Sequence, residues 1–274
     1  MTMWNDYGGK AVLITGGTRG IGLATGLAFG RRGAAVTLTH KWDSADQDSI
    51  RSRFAAAGAP LPDIVQADVA HEADVQAVMQ RIRARHERLE ALISNAAFGA
   101  TVSGVDAYSR KALYTGIEYS AWPLVTHTLA ARRVFGRPPR YVVGVSSEGT
   151  GSMHVGYDLI AAAKSVLETL CRYLQYRLGP EGTSVNVVCT RFVDTVSLGD
   201  TIGDEFLPFL RRYAPDLITT AEEVADAIFA ICSGPMDALG GQVLTADRGA
   251  GLFDNFSRLY QERHTHPIHA KEKP

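Results

Sequence analysis

Strand-like and helix-like segments alternate along almost the whole chain. That alternation predicts a single α/β domain built on a doubly wound parallel sheet of about seven strands, with helices on both faces. Two further observations agree. The first strand candidate, Ala11-Val12-Leu13-Ile14, is a short apolar run without polar alternation, the pattern of a strand buried on both faces. At 274 residues the chain also suits one large domain better than two, and no repeat or low-complexity linker marks a boundary.

Each element follows in order. Residues 20–32 carry Ile21, Leu23, Leu27, Ala28 and Phe29 at helical spacing. A second strand over 35–39 precedes a helix over 45–57 that stops at Gly58. Ile64-Val65 leads to Ala67-Asp68-Val69, and residues 74–88 read as a helix with Val75, Val78, Met79 and Ile82 on one face. The fourth strand, 89–93, runs into Ser94-Asn95-Ala96-Ala97. Helical patterns extend to about Phe135, interrupted at Pro123. A strand over 141–145, a long helix ending at Gly179-Pro180 and a strand over 185–189 come next. A helix over 221–232 and a short strand over 242–245 complete the series. Two segments stand outside it: an apolar excursion over 192–216 and a C-terminal stretch over 252–274.

Composition excludes several function classes. With 28 Lys+Arg against 29 Asp+Glu and no long basic run, binding to nucleic acid through phosphate neutralisation is not expected. The three cysteines, Cys171, Cys189 and Cys232, are widely spaced in apolar surroundings and read as buried thiols in a reducing compartment. Residues 1–10 are polar, so no signal peptide is expected, and no apolar run approaches the ~20 residues of a membrane helix. A cytoplasmic protein without a membrane partner is the expectation.

Thr15-Gly16-Gly17-Thr18-Arg19-Gly20-Ile21-Gly22 lies between the first strand and the first helix. Glycines there let backbone approach a pyrophosphate, while the helix N-terminus offers N–H groups and the positive end of its dipole. The spacing is Gly-x-x-x-Gly-x-Gly, and alone it also fits an ordinary strand-to-helix turn. Together with Asp68-Val69, Asn95-Ala96-Ala97 and a late Tyr/Lys pair, it resembles the short-chain dehydrogenase/reductase family over roughly residues 10–250. The resemblance implies a Rossmann-type fold with Gly16, Thr18, Arg19, Gly20, Ile21 and Gly22 around the pyrophosphate. It further implies Asp68 and Val69 at the adenine, with Asn95 and Ala96 beside the cofactor. NAD-binding members place an acidic residue at the end of the second strand; here Thr39-His40-Lys41 stands there, with Arg19 nearby. Cations at that place match a 2′-phosphate, so NADP(H) is the expected cofactor.

The usual family pattern puts Tyr four residues before Lys on one helix, but four residues before Lys164 stands Ile160. The available tyrosine is Tyr157, seven positions back and so nearly on the same helical face. Ser147 lies ten residues before it, where the family's active-site serine belongs. The Tyr-x6-Lys spacing resembles the divergent enoyl-thioester reductases of the family. A physical reason favours it. Conjugate reduction places hydride on the β-carbon and develops charge on an oxygen two carbons further on, so the proton donor must sit farther from the nicotinamide. Lys164 nearby is expected to lower the Tyr157 pKa.

There are departures. Spacing puts Glu118 where the family's active-site asparagine belongs, and Thr190-Arg191 replaces the expected Pro-Gly. Val193 and Thr195 still fall where the nicotinamide carboxamide and phosphate are met. The resemblance makes residues 192–216, with Phe192, Phe206, Leu207, Phe209, Leu210 and Tyr213, a lid suited to an acyl chain or carbocycle. Arg211 and Arg212 fit either a CoA phosphate, an acidic carrier protein or a solvated face.

The expected function is NADPH-dependent reduction of an enoyl thioester, carried by CoA or a carrier protein, with Tyr157, Lys164 and Ser147 as catalytic residues. A ketoreductase or alcohol dehydrogenase, or an inactive NADP-binding regulatory protein, are the alternatives. Val166, Leu167, Leu170 and Leu174 form an apolar stripe expected to pair copies into a homo-tetramer or homo-dimer, and Leu252, Phe253, Phe256, Leu259 and Tyr260 a second, expected to pack on a neighbouring subunit or to rim the pocket. His264, His266 and His269 sit in a polar tail around Pro267 and are not read as a metal site.

Overall fold

A computed structural model describes residues 6–42, 46–203 and 205–252. Strand β1 (Ala11–Thr15) is buried throughout, as its apolar run requires, and turns through the glycines into α1 (Gly20–Gly30). Then come β2 (Ala35–His40), α2 (Gln47–Ala56), β3 (Asp63–Gln66), α3 (Glu72–Arg83) and β4 (Leu89–Ser94). Helices α4 (Arg110–Ser120) and α5 (Trp122–Phe135) meet at Ala121, where Pro123 enters the first turn of α5, a position that needs no intrahelical N–H. Strand β5 (Tyr141–Ser147), α6 (Asp158–Leu178) and β6 (Ser184–Thr190) follow. After them come β7 (Phe192–Val193), α7 (Val196–Ile202), α8 (Phe206–Tyr213), β8 (Ile218–Thr219), α9 (Ala221–Ile231) and β9 (Val243–Ala246).

Among the described residues seven strands form one parallel sheet in the order β3-β2-β1-β4-β5-β6-β9. The order reverses between β1 and β4, and ligands in such sheets bind outside the carboxyl ends of the strands at that reversal. Both faces are covered. Leu27 and Phe29 of α1 pack with Ile228 and Phe229 of α9 on one side. On the other, Val78 and Met79 of α3 meet Leu124 of α5 and Leu167 of α6.

Several expectations shift. The third helix stops at Arg83, because residues 84–88 add no large side chain to its apolar face after Ile82. The second begins at Gln47, where the Asp46 carboxylate accepts from the N–H groups of Asp48 and Ser49. The 192–216 excursion is an organised subunit: β7 pairs with β8 in a separate two-stranded sheet, over a small core of Phe192, Leu210, Leu217 and Ala250. The stripe expected to pair copies is partly covered by the chain's own core. Leu167 is fully buried, Val166, Leu170 and Leu174 are partly buried against the same core cluster, and Tyr173 and Tyr176 are exposed large apolar side chains of α6. Phe253, Phe256, Leu259, Tyr260, His264, His266 and His269 lie outside the described residues. All three cysteines are buried free thiols, and no described helix is long and apolar enough to cross a membrane.

Candidate active site

A cleft of about 360 Å³ opens at the carboxyl ends of the central strands. Its floor at one end is the turn between β1 and α1. Gly16 holds φ +60°, and a Cβ there would lie 3.0 Å from the Ala96 Cα. A Cβ on Gly22 would lie 2.3 Å from the Gly16 carbonyl oxygen, so only glycine lets the turn close onto the helix. Asn95 locks the two strands together: its Nδ2 donates to the carbonyls of Thr15 (3.0 Å) and Gly16 (2.8 Å). Residue Arg19 caps α1 without a side-chain bond to the first turn, and no acidic residue lies in that turn. The helix N-terminus is therefore left to an anion in the cleft. Thr18, Arg19, Gly20, Ile21 and Ala96 line this end, and Val193 and Thr195 face it from β7 and the start of α7.

Under the β2 edge the arrangement differs from the expectation. Lys41 Nζ lies 2.8 Å from Asp68 Oδ2 and donates to the Tyr119 hydroxyl at 2.6 Å; Tyr119 in turn donates to Asp68 at 3.2 Å. The hydrogen bond to Asp68, then that to Tyr119, raise the Lys41 pKa. Asp68 is thus committed to Lys41 and is absent from the cleft lining, while Val69 is present. The atoms left over are Thr39 Oγ1 and His40 Nε2, both buried without a partner, with His40 Nδ1 held on the Trp42 carbonyl at 2.8 Å. Orphaned polar atoms under the β2 edge, beside a turn that a Cβ would fill, fit a dinucleotide at this end of the cleft.

At the opposite end stand Ser147, the last residue of β5, and Tyr157, which is the N-cap of α6 and so precedes the helix body. Both line the cleft, and the Ser147 hydroxyl accepts from the Gly149 N–H at 3.4 Å. Burial raises the Tyr157 pKa, which the nearby Ser147 hydroxyl only partly offsets. Lys164 does not act on it as expected: its Nζ donates 2.7 Å to the Val145 carbonyl, and burial pulls its own pKa down to about 8. Ile160 lines the cleft where the commoner tyrosine would stand. Glu118 is exposed and outside the cleft; Tyr119 and Ser120 of α4 reach it instead. Buried Glu168 accepts from Ser146 (2.7 Å) and Thr150 (3.0 Å), which fixes the turn carrying Ser147.

The sequence reading overlooked Glu148 and His154 and left Arg191 without a role. Glu148 Oε1 lies 2.6 Å from His154 Nε2 and 3.2 Å from Arg191 Nε, and all three residues line the cleft beside Tyr157. No spacing links positions 148, 154 and 191, so only the strand ends of β5 and β6 reveal the cluster.

Comparisons with known proteins agree with this geometry. The family model described as Enoyl-(Acyl carrier protein) reductase matches residues 16–251. The chain is 29% identical over 246 residues to 1-cyclohexenylcarbonyl-CoA reductase of Streptomyces collinus, covering 88% of this chain and 86% of that protein. It is 33% identical over 196 residues to 2,3-dihydro-2,3-dihydroxybenzoate dehydrogenase of Escherichia coli (strain K12), covering 69% and 72%. Among solved structures, a short chain dehydrogenase from Burkholderia cenocepacia J2315 in complex with NADP superposes with a TM-score of 0.78. Its identity is 26%, over 90% of this chain and 100% of that one.

Proposed function

Because this chain belongs to the Enoyl-(Acyl carrier protein) reductase family, within the short-chain dehydrogenases/reductases, we propose that it reduces the α,β double bond of an enoyl thioester with NADPH. The observation that carries the reading is the seven-residue offset between Tyr157 and Lys164. It sets the hydroxyl at the N-cap of α6, beside Ser147, while Ile160 fills the place one turn before the lysine. Gly16, Gly20 and the α1 N-terminus would hold the pyrophosphate, and Thr39 and His40 the 2′-phosphate. When bound, NADPH supplies a hydride to the β-carbon.

The residues of the chain do the rest. The Tyr157 hydroxyl donates to the thioester oxygen as charge gathers there and transfers its proton to the enolate. Burial keeps that hydroxyl protonated at neutral pH, so it is present as an acid. Ser147 orients it. Lys164, anchored on Val145, would hold the ribose hydroxyls. The thioester is carried by CoA or a carrier protein, and the enzyme assembles as a homo-dimer or homo-tetramer through the partly buried Val166, Leu170 and Leu174 stripe of α6, beside the exposed Tyr173 and Tyr176.

The test is NADPH oxidation with matched enoyl-CoA and 3-ketoacyl-CoA esters. Turnover of enoyl esters is expected. Turnover of ketoacyl esters alone would make the protein a ketoreductase, and NADPH binding without turnover of either would make it a regulatory protein.

A further inference from the structure

We infer that Glu168 is a positioning residue for the proton-transfer step, holding the turn that carries Ser147 and supplying the counter-charge to Lys164, an inference that rests on the enoyl-thioester reading. Glu168 is buried, and no step described above uses its charge. Burying a carboxylate is costly unless it is paired or hydrogen-bonded. Its surroundings show what the cost secures.

Lys164 and Glu168 stand four residues apart on α6, and so on one face of the helix. The helix meets the end of β5 at close range because Gly144 has no side chain; a Cβ there would lie 3.2 Å from Leu167 Cδ1. The two charged side chains then grip successive residues of the strand. Lys164 Nζ donates to the Val145 carbonyl at 2.7 Å, and the Ser146 hydroxyl donates to Glu168 Oε1 at 2.7 Å. The Thr150 hydroxyl reaches the same oxygen at 3.0 Å and the Ser147 carbonyl at 3.1 Å. Glu168 thereby ties the strand before Ser147 to the turn after it.

The charge matters as well as the oxygen. Burial lowers the Lys164 pKa, while the Cys189 thiol of β6 and Glu168 act in the opposite direction. Burial pushes Cys189 up to about 12, so that thiol is neutral at working pH. The remaining groups nearby are engaged elsewhere. Tyr157 stays protonated, and Glu148 lies against Arg191 and His154. From α4, Tyr119 is bound to Lys41 and Asp68, and Glu118 is exposed. Glu168 is therefore the anion that keeps Lys164 a charged donor to the ribose hydroxyls.

The test separates the two roles on the intact protein. Glu168→Gln keeps an acceptor oxygen for the two hydroxyls and removes the charge; Glu168→Asp keeps the charge and withdraws the oxygen. NADPH affinity is titrated by fluorescence from neutral to alkaline pH, turnover of an enoyl-CoA ester is measured alongside, and thermal melting reports that each variant is folded. Affinity draws on charged Lys164, so it falls as pH rises through the Lys164 pKa, about 8 in the wild type. In Glu168→Gln that fall is expected about one pH unit or more lower. In Glu168→Asp it is expected to stay in place while turnover drops about 10- to 100-fold. A fall at the wild-type pH in Glu168→Gln overturns the inference; if that variant does not fold, undiminished turnover in Glu168→Asp overturns it. A downward shift in Glu168→Gln, with no enoyl ester reduced even by the wild type, leaves the coupling to Lys164 standing and removes the enoyl-reductase reading instead.

Discussion

At the dinucleotide end of the cleft the working surface is backbone, whereas at the Tyr157 end it is a set of side chains drawn from three separate segments. Gly16, Gly22 and the α1 N-terminus make their contribution through missing Cβ atoms and free N–H groups. Ser147, Glu148, His154, Tyr157 and Arg191 make theirs through hydroxyls, a ring and an ion pair. A backbone cradle accepts any dinucleotide of the right length and tolerates few substitutions. A side-chain cluster can be retuned one residue at a time, which is how one fold serves many substrates. The difference teaches where binding and where selectivity reside in this molecule.

The sharpest way to probe the contrast is a change that spares one end. Tyr157→Phe keeps the ring against His154 and removes the hydroxyl, so turnover is expected to fall ~10²–10⁴-fold while NADPH affinity is retained. Stopped-flow turnover and fluorescence titration check the two halves separately. The converse change is Gly22→Ala. Its Cβ would meet the Gly16 oxygen at 2.3 Å, and overpacking of this kind costs about 1–3 kcal/mol. NADPH affinity is expected to fall at least tenfold with a lowered melting temperature, and an unchanged affinity would break the backbone account.

Legibility followed the same division. The Gly-rich turn, Asn95 and the parallel sheet were readable because a close backbone approach admits only glycine and a two-face-buried strand only apolar runs. The pairing of Lys41 with Asp68 was not readable, since it spans two loops and depends on Tyr119 from α4. Nor was the role of Arg191, whose partner lies 43 positions earlier and meets it only because β5 and β6 are neighbours. The partial packing of Val166, Leu170 and Leu174 on the core was not readable, because one apolar stripe fits a subunit interface and a core equally well.

A milder test bears on the adenosine end. His40→Ala removes the unpartnered Nε2 beside Thr39, and is expected to weaken NADPH about tenfold relative to NADH. Kd values for both nucleotides check this; comparable losses for the two would place the 2′-phosphate elsewhere.

The smallest expected effect is thermodynamic. Burial lowers the Lys164 pKa from its usual 10.5 to about 8. Between those values the unfolded chain binds more protons than the folded one, so stability rises with pH from about 8 to 10.5. At pH 7 the burial penalty is fully present. Lys164→Met is therefore expected to melt above the wild type at pH 7 and to lose that advantage towards pH 10, while NADPH affinity falls at both. Melting curves at the two pH values decide it.

The central claim is that Tyr157 protonates an enolate two carbons from the site of hydride addition. The direct measurement is the fate of deuterium from NADPH deuterated at the transferred position, read by NMR of the saturated product. Deuterium at the β-carbon, with a solvent-derived hydrogen at the α-carbon, is the predicted result. Deuterium on a carbinol carbon, with the double bond intact, would contradict it.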